Sequence, residues 1–152
     1  MSKALWNFAL DMYAQPGIEA ICLALQDAHG EDICLLMCGA WLDRRGVPCT
    51  AARRDQLRAL SEGWQREVIA PLRDLRRHWK PAAAQDATLA TLRQRLAELE
   101  LDAERELLTR LERLCAAWPA EARRERSEWL AALAGPRSDA AALARLVSAA
   151  RP

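Results

Sequence analysis

Residues that favour pleated structure are scarce in this chain. Ile, Val and Thr together number 11 of 152, with one Phe and one Tyr, against 55 Ala plus Leu. That balance favours helix at nearly every position and excludes a sheet of any size. Charge of one sign is also lacking. Lys plus Arg number 22 and Asp plus Glu 21, a net +1, which gives neither strong steering toward nucleic acid nor a strongly acidic surface. Of those 22 cations 20 are Arg, but recognition of phosphate needs placement rather than abundance. With only His29 and His78 present, no Ser-His-Asp or Cys-His constellation is defensible, so no catalytic residue is assigned. The six glycines stand singly, which excludes a glycine-rich phosphate loop.

Long apolar runs are missing too. The longest strongly apolar stretch free of charge, Ile33 to Leu42, has ten residues, about half of what a membrane-spanning helix needs. Met1 to Gly17 interleaves Asn7 and Asp11 with its apolar residues and does not read as a secretory signal. The five cysteines are odd in number and widely spread, which points to free thiols in a reducing cytoplasm.

What remains is helical punctuation and periodicity. Leu5, Phe8, Ala9, Met12 and Tyr13 make one amphipathic face after Ser2, a candidate cap, and Pro16-Gly17 ends it. Ile18, Ile21, Cys22 and Leu25 form a second stripe that stops at Gly30. From Asp32, a third segment is apolar all round through Leu42, as expected of a helix surrounded by others. Gly46-Val47-Pro48 breaks the pattern, and Thr50 can cap a long helix carrying Leu57, Leu60, Trp64, Val68, Leu72, Leu75 and Trp79, kinked or split at Pro71. After a connection at 80–85, the stripe Leu89, Leu92, Leu96, Leu99, Ala103, Leu107, Leu111, Leu114 and Trp118 runs to Pro119.

Facing residues of the two stripes have position numbers summing to 167 or 168, as in an antiparallel hairpin, with large Trp64 opposite small Ala103. The expected fold is all-α: one helical domain over 1–152, with a cluster of three short helices at 3–46 packed on a long, kinked antiparallel hairpin at 50–118. One or two short helices at 121–150 follow, beginning with a segment from Glu121 to Ala134 and ending in a mobile alanine-rich tail.

Several sets of residues could carry chemistry. Cys34 and Cys38 share a helical face, with Cys22, Cys49 and His29 as neighbours to consider, but single cysteines within apolar stripes ordinarily behave as small core residues. Neither a metal nor a cofactor is expected. Glu98, Asp102 and Glu106 stack on one face without the Glu-x-x-His partners of a carboxylate metal site, so they read as a solvated acidic face. Arg66, Arg73, Arg77 and Lys80 make a basic stripe, open to a phosphate or acidic partner, or else salt-bridged along the hairpin flank near Glu98 and Glu100. Trp6, Tyr13 and Trp41, with Gln26 and Asp27 at a helix end, are the residues from which an oriented apolar pocket could be built, and equally read as core and caps.

The run Trp6-Asn7-Phe8-Ala9-Leu10, then Tyr13, Pro16-Gly17, Cys22 to Asp27, and Asp32-Ile33 through Trp41-Leu42 resembles a family of short proteobacterial proteins, of Pseudomonas and Vibrio type, known as a domain of unknown function. The resemblance covers roughly the first half of the chain. It implies a bacterial cytoplasmic source and brings no activity, cofactor or catalytic residue with it; Cys34 stands where asparagine is expected in relatives.

These observations lead to three functional expectations. The first is a non-enzymatic cytoplasmic interaction or regulatory module meeting a protein partner or a second copy of itself. The second is a small enzyme or ligand carrier using a pocket among the first three helices. The third, nucleic-acid binding, would need the arginine stripe free and exposed.

Overall fold

A computed structural model describes residues 3–121 and 128–152. Among them every regular element is helical, in the order α1 (Ala4–Ala14), α2 (Ile18–His29), α3 (Ile33–Arg45), α4 (Ala51–Trp64), a π turn (Gln65–Ile69), α5 (Ala70–Ala83), α6 (Ala87–Cys115), α7 (Glu128–Leu133) and α8 (Ala140–Ala150). Polar caps set the starts of α3, α4, α6 and α8. Asp32, Thr50, Asp86 and Asp139 each accept a hydrogen bond from a backbone N–H in the first turn. The proposed cap Ser2 lies outside the described residues, as does 122–127 of the segment expected to be helical from Glu121. At Gly30 (φ 64°) and Gly46 (φ 72°) the chain takes the left-handed conformation that closes α2 and α3, a position at which a Cβ is disfavoured.

Helix α3 is the centre. Every residue from Ile33 to Leu42 is buried, because α1, α2, α4, α6, α7 and α8 all pack against it. Gly39 permits the closest of these approaches: a Cβ there would stand 2.9 Å from Leu133 Cδ1 and 3.3 Å from Trp129 Cβ. Trp129 is fully buried, donates its indole N–H to the Val47 carbonyl at 2.7 Å and stacks on Trp118 at 5.9 Å. Asp43 accepts the Trp129 backbone N–H, so α3 supplies a cap for α7. The start of α1 is held in the same way by Glu112 of α6, which accepts from Leu5 N at 2.7 Å.

Helices α4 and α5 are one continuous rod whose middle is the π turn. Pro71 has no N–H to offer the Glu67 carbonyl, and its ring crowds that carbonyl; the chain widens just before it, with Ala70 N–H reaching back to the Gln65 carbonyl. Pro81, expected in a connection, instead sits inside the last turn of α5. The rod and α6 run antiparallel, fastened by the Trp64 indole N–H on the Ala103 carbonyl (2.9 Å) and by Arg93 Nε on the Arg76 carbonyl (2.8 Å).

Burial departs from the expected seam beyond Trp64. Leu96 is buried as the register expects, but Leu75, Leu92 and Leu99 are 40%, 44% and 51% exposed, while Ile69 and Glu100 are buried. The π turn spends an extra residue on one turn, which brings its last residue, Ile69, inward and rotates everything after it. On α6, the spacing Leu96, Glu100, Ala103, Leu107 places Glu100, not Leu99, at the line of closest contact.

Candidate functional site

Where the hairpin meets the α1–α3 cluster, polar side chains from several helices converge. Asp32, besides capping α3, accepts from the Ser61 hydroxyl and from Gln65 Nε2 (3.0 Å) of the π turn. Arg73 spans Glu100 (3.0 Å) and Glu104 (3.1 Å), and Arg76 grips Glu100 at 2.6 Å. Outside this group, Arg77 meets Asp27 at 2.6 Å. Burial raises the Asp32 carboxyl above the usual range, against the pull of its hydrogen bonds and of Arg73. Burial also works against the Glu100 carboxylate, but Arg76 and Arg73 outweigh it and hold Glu100 below the usual range. Glu104, half-buried and served by Arg73 alone at hydrogen-bond distance, is raised by desolvation. The joint thus combines an ion network, Arg73 and Arg76 with Glu100 and Glu104, and a carboxyl, Asp32, held by neutral donors.

The arginine stripe divides. Arg73 and Arg77 are paired across helices, whereas Arg66 meets only its neighbour Glu67 at 3.4 Å, on an exposed surface, and Lys80 is exposed with no ion-pair partner among the described residues. Arg76, not part of the stripe as read from sequence, makes the shortest ion pair of the joint. The signal that could have found it is the seam spacing itself, since a glutamate in the seam at position 100 demands cations opposite.

The amino-terminal aromatic set is spread over the cluster. Trp6 lies under Arg105, 4.9 Å from the ring centre. Tyr13, expected on a core face, is 38% exposed and sits beside the buried Cys22; desolvation raises both groups, the thiol to about 11. Trp41 lies under Arg45 (4.5 Å) and lines a cleft of about 370 Å³ with Ala4, Arg45, Thr109, Glu112, Arg113 and Ala116. Gln26 is half-buried and Asp27 is engaged by Arg77. Of these five, Trp41 alone borders that cleft. The cysteines are all free; Cys38 and Cys115, fully buried on α3 and α6, stand 3.8 Å apart, and their contact, together with burial, raises Cys38 well above the ordinary thiol range. Among the described residues no group of three or more His, Cys, Asp or Glu could hold a metal ion, and no helix is long and apolar enough to cross a membrane.

The arm offers a different kind of site. α5 contains no buried residue, although Leu72, Leu75 and Trp79 recur along it at helical spacing. On α6, each step in sequence turns roughly 100°, so Leu92 and Leu99 lie about a quarter-turn from Glu100 on one side, with Glu104 and Leu108 on the other. Glu104 and Leu108 are on the side of the α1–α3 cluster, since Cys34 Sγ approaches the Glu104 carbonyl (3.9 Å). The same turn around α5 sets Leu75 and Trp79 away from Arg73 and Arg77, the residues that reach toward the cluster. Leu75, Leu92 and Leu99, with the half-buried Trp79 beside them, therefore share the face of the hairpin turned away from the cluster, and no described helix covers it.

A family described as a protein of unknown function, DUF2390, has a model that matches residues 4–111, from the start of α1 to the buried Leu111 of α6. No curated protein and no solved structure matches the chain.

Proposed function

We propose that this chain, which belongs to the DUF2390 family of proteins of unknown function, is a non-enzymatic, cytoplasmic interaction module that docks a protein partner on the open face of its α5–α6 arm. One observation carries the reading: α5, though patterned for burial, has no fully buried residue, and Leu75 on it and Leu92 and Leu99 on α6 stand 40–51% exposed along one side of the seam that Leu96 closes. Apolar area left at the surface in one contiguous strip marks a contact site more often than scattered exposed leucines do. The other groups fit a scaffold. The joint's carboxylates are engaged by arginines or caps, and the thiols of α3 are sunk in the core with raised pKa values, poorly suited to attack. Free cysteines fit a reducing compartment.

Site-specific photo-crosslinking in living cells of the source tests this reading. A crosslinker at position 92 or 99 is expected to yield a discrete adduct, and one at Gln94, on another side of α6, is expected to yield none. Absence of adducts at all three positions contradicts the reading.

A further inference from the structure

The open face carries a charge pattern that selects its occupant. Beside the Leu92–Leu99 strip, on the outer flank of α6, lie Arg95 and Asp102, both exposed and neither in an ion pair among the described residues. Arg95 is four residues before Leu99 and Asp102 three after it, a cation and an anion about 5–6 Å either side of an apolar centre at 1.5 Å per residue. A two-fold axis passing near Leu99 and perpendicular to α6 exchanges these positions, setting each Arg95 toward the other copy's Asp102. Such a surface is complementary to itself, the condition for an isologous interface.

We infer that the arm docks on a second copy of this chain, two hairpins closing face to face into a four-helix arrangement with α6 antiparallel to its counterpart; this rests on the reading of the arm as a docking surface. Closure covers Leu75, Leu92 and Leu99, and completes the burial that two helices alone leave unfinished. At 1.5 Å per residue the strip from Leu92 to Asp102 is about 15 Å long, or about 20 Å with side-chain reach, and about 20 Å wide, so two copies cover on the order of 800 Å² in total, in the range of weak, transient contacts. The dimer is therefore weak, with dissociation on a micromolar scale, and concentration-dependent.

The test is sedimentation velocity across a concentration series, with circular dichroism to verify that each variant folds. Wild-type protein is expected to pass from monomer to dimer as concentration rises. Leu99→Glu, at a position too exposed to disturb folding, is expected to remain monomeric. Arg95→Asp and Asp102→Arg each set like charges opposite one another and should weaken the dimer roughly tenfold or more. Combining them reverses both charges and should restore most of the affinity, which an apolar contact without this register would not do. A wild-type chain monomeric throughout, or a double variant no better than the singles, overturns the inference. The docking-surface reading fails separately: crosslinks from position 99 at twice the chain's mass support self-association, those to a different chain overturn it while sustaining the docking surface, and none defeats both.

Discussion

The two ends of α6 share one composition and opposite surroundings. From Leu107 to Cys115 the helix lies between α1, α3 and α4, and Leu107, Leu108, Leu111, Glu112 and Cys115 are all buried. From Ala87 to Leu101 its neighbour is α5, and Leu96 and Glu100 alone are buried. A leucine's periodicity states which way it points, but burial depends on how many elements stand in that direction. Two helices close one seam; a third, or a second pair, is needed to close the flanks.

The contrast breaks or sharpens under mutation. At the closed end, Trp129→Ala removes a fully buried ring, its bond to the Val47 carbonyl and its stack on Trp118, and should cost about 3–5 kcal/mol in urea unfolding. Within α6 itself, Leu111→Ala should cost about 2–5 kcal/mol, whereas Leu99→Ala, measured at concentrations where the chain is monomeric, should stay within about 0.5 kcal/mol. Equal costs would erase the distinction between the two ends.

Glu100 is the exception at the open end. Its side chain is 8% exposed between Arg73 and Arg76, so Glu100→Gln should destabilise by about 2–3 kcal/mol, by leaving two partly buried guanidiniums with Glu104 as their nearby anion.

Acid should separate the ends as well, with smaller effects. Burial raises the Asp43 carboxyl from 3.8 to about 6 in the folded chain, so the folded state binds the extra proton between those values, and stability from this group falls as pH rises through that window. Glu100 is depressed, so its contribution is present above its unfolded value of 4.5 and is lost as pH falls through the folded one. Urea midpoints measured from pH 4 to 7 should therefore show Asp43→Asn flattening a decline toward neutral pH that Glu100→Gln leaves in place.

Much of the closed end was legible in the sequence. Asp32 and Thr50 cap as their positions before apolar runs suggest, and the all-round apolar run at 33–42 is the central helix. Trp64 meets Ala103 in the expected register. The open end was less legible for two physical reasons. Pro71 announced a disturbance but not its kind, and a π turn, unlike a kink, rotates the following residues and moves the seam. Glu100 breaks the apolar pattern at the seam, so periodicity read through leucines alone selected Leu99 beside it. The joint around Asp32 depends on contacts spanning up to about seventy positions, such as Cys34 with Glu104, which no local pattern encodes.

The most direct measurement of whether the arm is the half left for another chain to cover is amide hydrogen exchange at low and high protein concentration. Slower exchange over residues 70–101 in the concentrated sample, with 107–115 and 128–133 unchanged, is the predicted result. Exchange over 70–101 that is the same at both concentrations would contradict docking of a second copy on this face.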